Sequence, residues 1–332
     1  MSKRAKVLLV VLAAIALVVA GNLFLRFHLP PVMIRPEAIP GLKVGGVQVT
    51  NTLLTALLVD VILIVLAVAA TRRMRLVPSG VQNFVEWVIE TLYRLTESVA
   101  GAKWTPRFFA VVATIFLYVL VSNWFGLLPG LSAFGVVEEH AAHVAAAEAS
   151  GVAEVASELA KEHVPRQVII PLFRSPSTDL NNNFALALVA VLMTQVFGVV
   201  ALGPRYFARF FNVKGLVEAV RFPPERGRRS MRGLLGRLAF GAIDFLVGIL
   251  EAISEVAKVI SFSFRLFGNI FAGEVMLLVL ASLVPLVLTL PFLGLEVFVG
   301  LIQAFIFYIL TLAFFTVATA SHGHEEREQS GL

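Results

Sequence analysis

The chain has 332 residues, 58% of them hydrophobic and only 15% charged, with a mean hydropathy of +0.87. Uninterrupted apolar runs of spanning length mark a polytopic helical membrane protein and exclude both a soluble domain and a closed β-barrel. Cysteine is absent, which removes disulfides, thiolate metal sites and a cysteine nucleophile, and the net charge of +5 matters by its placement rather than its sum.

Met1 to Lys6, MSKRAK, precedes an apolar stretch from Val7 to Leu25. The stretch is long for a secretory signal core and no clean small-residue cleavage site follows. A retained first helix is therefore expected, a cleaved signal being the alternative. Pro30, Pro31 and Pro36 mark residues 26–51 as an extra-membrane connector, which closes an N-terminal portion at residues 1–51.

Leu53 to Ala70 is the next span, and it stops at Arg72, Arg73 and Arg75, a cluster that the positive-inside rule places on the cytoplasmic face. From Val81 to Val99 the residues Val81, Phe84, Val85, Val88, Ile89 and Leu92 recur at helical spacing. Gln82, Glu86, Glu90, Arg94 and Glu97 lie largely off that stripe, which predicts a helix lying in the membrane interface. Phe108 to Leu128 then crosses outward and ends in SNWFGLLPG, where Trp124, Pro129 and Gly130 suit a membrane boundary.

Residues 131–178 form a long outer loop, within which Val137 to Val164 is alanine-rich and acidic and predicts a helix. His140 and His143 stand beside Glu138 and Glu139 at a spacing open to a metal, but short matches of this kind are common by chance. A solvated acidic helix is the preferred reading, with no metal and no cofactor. In PSTDLNNN, Pro176 to Asn183, Asp179, Asn181 and Asn182 sit at the outer mouth of the span Phe184 to Leu202, where helix capping is the plainer role.

Residues 204–237 are the most basic loop and are assigned to the cytoplasm. Topology explains this charge adequately, so it needs no nucleic acid. Alternating these assignments gives about six transmembrane helices, the first at Val7 to Leu25 and the other five in a membrane domain at residues 52–320, with both termini in the cytoplasm and a polar tail at 321–332.

From Leu238 to Val284 there is no proline, and about 47 residues at 1.5 Å each make roughly 70 Å, more than twice the hydrocarbon thickness. Steep tilt is expected, with a break near Gly248 or Gly268 as the alternative. Pro285 and Pro291 end this run and open a second one to about Ala320. Glu251, Lys258 and Arg265 recur every seven residues and share a face, and Asn269 lies one turn beyond Arg265. Glu274 falls on the opposite side of that helix, so a simple pair with Arg265 is not expected. On the last run Glu296 and Gln303 are again seven apart and share a face.

Arginine at mid-membrane depth costs about 2.5–3.5 kcal/mol on insertion scales, and its guanidinium cannot escape by deprotonating. Arg265 therefore requires a reason. With polar groups on two consecutive spans, a hydrated ion pathway is preferred to interhelical glue. A secondary ion-coupled transporter is the alternative, although no inverted repeat is visible. A membrane enzyme would need a nucleophile with a base, or a metal cluster, which the spans do not offer.

RLFGN at Arg265 to Asn269, AGE at Ala272 to Glu274 and LIQAFIF at Leu301 to Phe307 together resemble the signature of the a subunit of the F-type ATP synthase. NWFGLLPG and PSTDLNNN extend the resemblance over most of the chain, from about Leu53 to Ala320. It implies a non-catalytic proton-translocating subunit with a five-helix core and one added first helix. The last two helices would form a tilted hairpin embracing a ring of c subunits.

The implied partners are that ring, b-type stator subunits, the rest of the synthase and the lipid of a bacterial plasma membrane, with no nucleic acid. By position, Arg265 is the arginine that faces the ring. Asn269, Glu274, Glu296 and Gln303 match polar positions of the proton path, Asp179 and Asn181 its outer mouth, and Glu251 and Lys258 charges towards the inner side. Two departures stand out. Many members pair a histidine with a glutamate where this chain has Glu274 and Glu296, and Asn183 stands where threonine is common. Two carboxyls close together would titrate jointly, which leaves their individual roles open.

Overall fold

The computed structural model describes residues 38–44, 47–72, 74–77, 80–128, 131, 134–139, 167–210, 231–283 and 289–320. The first helix expected at Val7 to Leu25, the pair His140 and His143, most of the basic loop and the polar tail lie outside them. The described chain is an all-α polytopic membrane protein with two short two-stranded sheets added.

β1, Ala38–Val44, runs antiparallel to β2, Val47–Thr50, with Val44 opposite Val47 and Ala38 opposite Thr50. α1, Asn51–Thr71, follows at once. Thr50 Oγ1 accepts from Leu53 N at 3.2 Å and so satisfies one of the donors that a helix start leaves open. Asn51, Thr52, Thr55, Ala56 and Val59 are buried, whereas Leu57, Val61, Ile64, Val65 and Val68 are exposed. Small and polar residues inward with large apolar residues outward is the arrangement a helix bordered by lipid needs.

α2, Val81–Gly126, leaves helical geometry at Gly101, where φ is 73° and ψ 159°. The break falls between the interfacial helix and the span expected from sequence, so α2 is two helices joined at a glycine. In the first of them Gln82, Leu92 and Thr96 are buried while Phe84 and Trp87 are exposed. Part of the apolar stripe thus faces away from the protein, as a helix lying against lipid requires.

β3, Gly135–Glu139, pairs antiparallel with β4, Gln167–Pro171, from Gly135 opposite Pro171 to Glu139 opposite Gln167. Val137 to Glu139 are therefore strand, where the alanine-rich pattern predicts the start of a helix. Their backbone groups are satisfied by β4, a partner that no local pattern announces.

A 3-10 turn, Pro176–Thr178, leads into α3, Leu180–Leu202, which ends in a second 3-10 turn at Gly203–Arg209. α4, Met231–Leu283, is a helix of 53 residues, about 80 Å long at 1.5 Å per residue. It starts inside the stretch expected to remain loop as far as Arg237, and it passes through Gly248 and Gly268 without leaving the helix. α5, Thr289–Thr319, carries Pro291 in its first turn, where the missing N–H has no intrahelical partner to lose. α1, α2, α3 and α5 are each long and apolar enough to cross a membrane.

The chain divides into two compact units. The first contains the described residues of Met1–Asn83, Phe116–Asn183 and Arg265–Phe305. Its centre is polar. Ser175 Oγ donates to Ser122 O at 3.1 Å, Ser177 Oγ to Asn123 Oδ1 at 2.6 Å, Asn123 Nδ2 to Gly300 O at 3.1 Å, and Asn183 Nδ2 to Ser177 O at 2.7 Å. Buried networks of this kind select one geometry, because each member would be costly to leave unpaired.

The second unit contains the described residues of Phe84–Ile115, Phe184–Phe264 and Ile306–Leu332. Its centre is aromatic. Phe108, Phe197 and Phe315 form a triangle with ring centroids 4.9, 5.4 and 4.8 Å apart. Such contacts add about 0.5–1.5 kcal/mol per pair beyond area burial. The buried Tyr308 hydroxyl donates to Leu92 O at 2.8 Å and lies 2.7 Å from Thr96 Oγ1, which ties α5 to the first helix of α2.

Candidate functional site

Within the first unit, α4 and α5 meet at two levels. Asn269 Nδ2 donates to Gln303 Oε1 at 2.8 Å. At the second level Glu296 lies against Gly273, its carboxyl filling the space that a Cβ on that glycine would occupy. As α4 advances from Asn269 to Gly273, α5 retreats from Gln303 to Glu296, so the two helices run antiparallel here. Glu296 is 5% exposed and Gln303 2% exposed. Among the described residues the Glu296 carboxyl has no hydrogen-bond partner, so packing alone fixes it. Arg265 is half-buried, one turn before Asn269.

Glu274 does not turn towards Arg265. It forms an ion pair with Arg174, Nη2 to Oε2 at 3.2 Å, in which the Arg174 side chain is 9% exposed and that of Glu274 38%. Glu274 and Glu296 are thus held differently, one by a cation and the other by the bare backbone at Gly273. No hydrogen bond joins them among the described residues.

Asp179 uses both of its oxygens. Oδ1 accepts from Asn181 N at 2.9 Å, which caps α3, and Oδ2 accepts from Thr52 Oγ1 at 2.8 Å, which fixes α1. The Asn181 side chain is exposed, whereas Asn182 Oδ1 accepts from the Tyr118 hydroxyl at 2.9 Å. Asn182 Nδ2 is buried without a partner among the described residues. Capping and site are therefore not exclusive at this turn.

The second unit holds a polar set of its own. Lys258 Nζ donates to Glu255 Oε1 at 2.6 Å and lies 4.6 Å from the centroid of Phe314. Gln195 Nε2 donates to the other oxygen of Glu255 at 2.9 Å, and the Tyr206 hydroxyl donates to Gln195 Oε1 at 2.8 Å. Glu251, which shares the face of Lys258 in sequence, is half-buried one turn before Glu255.

Three groups escaped the sequence reading. Arg174 lies outside the spans expected from sequence, where an arginine draws no attention, and its partner is 100 residues away. Glu255 is recognisable as a charge within an apolar run, but not as the centre of a network. Asp60 interrupts the apolar run of α1 and stands within electrostatic reach of Tyr118; a lone carboxylate inside a span was the available signal.

Four helices long and apolar enough to cross a membrane, with an amide bridge and a buried carboxyl where α4 meets α5, define an integral membrane protein. The model of the ATP synthase A chain family matches residues 52–316. The chain is similar to ATP synthase subunit a of Campylobacter fetus, 30% identical over 266 residues, 80% of this chain and 88% of that one. It is 26% identical over 291 residues to ATP synthase subunit a of Moorella thermoacetica, 88% of this chain and 99% of the relative. With ATP synthase subunit a 2 of Syntrophotalea carbinolica the identity is 29% over 257 residues, 77% and 80% of the two chains. The chain belongs to the ATP synthase A chain family, the subunit a family of the F-type ATP synthase. It is a component of the membrane sector, in ATP synthesis and proton transport.

Proposed function

We propose that this chain is the non-catalytic subunit that carries protons to and from a ring of c subunits in a bacterial plasma membrane, held against the ring by b-type stator subunits. The observation that carries the reading is the Asn269–Gln303 bridge one turn beyond Arg265, with the buried Glu296 seven residues before Gln303. α4 and α5 present these groups as one polar line within otherwise apolar helices. An outer half-channel would use Asp179, Asn181, Glu274 and Glu296. An inner one would use Glu251 and Lys258, to which Glu255 is added here. The long last pair of helices would lie tilted against the ring, since about 80 Å of α4 exceeds a bilayer core of about 30 Å.

A ring carboxyl in lipid is desolvated, which keeps it protonated and neutral. Beside Arg265 the balance reverses. A unit charge at about 4 Å, with an effective dielectric constant of about 20, is worth roughly 4 kcal/mol and favours ionisation about a thousandfold. The proton can then leave on one side, and the carboxylate takes up a proton from the other before the ring turns it, neutral again, back into lipid. Because guanidinium keeps its charge at any working pH, Arg265 also separates the two half-channels. The membrane potential supplies about 2.3 kcal/mol per charge per 100 mV.

ATP-driven acidification of inverted membrane vesicles containing the complete complex tests this. Arg265→Ala is expected to abolish pumping with assembly intact, and Arg265→Lys to fail as well, because an ammonium can lose its proton. Pumping at the normal rate in Arg265→Ala vesicles would reduce Arg265 to interhelical packing.

A further inference from the structure

The segment before α3 is pinned residue by residue. Asn51 Nδ2 donates to Pro171 O at 3.2 Å, and the Phe173 ring lies 6.3 Å from that of Phe125. Arg174 N donates to Thr55 Oγ1 at 3.1 Å. Ser175 is bonded through Oγ to Ser122 O and packs on Gly126, where an added Cβ would come within 2.5 Å of the Ser175 Cβ. Ser177 is bonded to Asn123. The guanidinium of Arg174 thus projects from a stretch of backbone that α1 and α2 hold rigidly.

Its partner differs. Glu274 is the more exposed member of the pair, 38% against 9%, and it is carried on a long helix. An exposed glutamate has several rotamers open to it, and a planar cation fixed nearby selects one.

We propose that Arg174 is the positioning residue for Glu274. It returns the Glu274 carboxylate to one place after each proton that passes and holds it apart from Arg265. The proposal rests on the reading of Glu274 as a group of the proton path. Arg174 itself carries no proton, because its guanidinium stays charged. Its effect on transport runs through Glu274.

The test is a double-mutant cycle in inverted vesicles containing the whole synthase, with ATP-driven pumping compared at equal amounts of assembled complex. Arg174→Gln is expected to slow pumping about tenfold, since a misplaced group in a transfer path costs rate steeply. Arg174→Lys retains the cation and is expected to stay within about threefold of wild type. The double variant Arg174→Gln/Glu274→Gln is expected to pump no more slowly than Glu274→Gln alone.

Wild-type pumping by Arg174→Gln would overturn the proposal. So would a double variant that loses the full Arg174→Gln factor on top of the Glu274→Gln loss, because that is the signature of a purely structural arginine. If Glu274→Gln itself pumps at the wild-type rate, the proton-path reading of Glu274 falls and the proposal with it. If Glu274→Gln is slow but the cycle is additive, only the positioning role falls. Should Arg174→Gln not assemble, the cycle is run with Arg174→Lys, where any loss that persists beside Glu274→Gln counts against the proposal.

Discussion

Gly273 and Glu296 make a contact that depends on one missing atom. The carboxyl lies where a Cβ would be, so Gly273→Ala must push Glu296 away from the α4 backbone. Two effects compete. Alanine favours the helix by about 1 kcal/mol over glycine, while overpacking a close contact costs about 1–3 kcal/mol. Because the displaced group is a carboxyl buried at 5% exposure, the cost is expected to win. The purified complex should melt at a lower temperature in Gly273→Ala, and adding Glu296→Asp, one methylene shorter, should recover part of the loss. A higher melting temperature in the single variant would show that Glu296 does not rest on this glycine. At this scale the sequence was readable only where both members of a feature lie on one helix. Arg265 and Asn269, or Glu296 and Gln303, are related by spacing alone. The Asn269–Gln303 bridge, the Arg174–Glu274 pair and the Glu255–Gln195 bond each join two elements, and no periodicity encodes such pairings.

The elements themselves were legible where lipid imposes a length. About 20 apolar residues are needed to cross the hydrocarbon, so α1 and α3 appear as runs with nearly the observed ends, whereas the second helix of α2, expected from Phe108, begins about six residues earlier, just after Gly101. The two-stranded sheets were not, because strands of 4 to 7 residues leave a weak local signal and β3 is completed by a strand far along the chain. The break inside α2 lies between these cases. Its position follows from the change of pattern after Val99, but its form depends on Gly101 at φ 73°. Nothing lies within 4 Å of an added Cβ there, so Gly101→Ala meets no steric wall. The cost is in the backbone: with φ 73° and ψ 159° the residue sits in a region essentially reserved for glycine, which costs alanine about 1–3 kcal/mol. Gly101→Ala is therefore expected to lower the melting temperature of the complex through strain alone. An unchanged midpoint would mean that the two helices of α2 can be joined without a positive φ.

For the molecule as a whole, the placement of charge about the spans sets which side of the membrane each loop occupies, and the absence of cysteine makes that placement measurable. Leu76 follows the Arg72–Arg75 cluster and is 105% exposed, whereas Phe134 precedes β3 and is 64% exposed. If the first helix of α2 lies in the interface, as its sequence pattern predicts, only the second helix crosses the bilayer between them. An odd number of crossings puts the two positions on opposite faces, with Leu76 inside because of the arginines beside it. Leu76→Cys and Phe134→Cys, each the single thiol of the chain, should therefore react with a membrane-impermeant maleimide in opposite vesicle orientations. Leu76→Cys should label in inverted vesicles and Phe134→Cys in right-side-out ones. Labelling of both from one face would mean that the second helix of α2 does not cross. The loop carrying Arg174 and Asp179 would then open on the same side as the arginine cluster, and an outer half-channel entered past Asp179 would have no outer mouth.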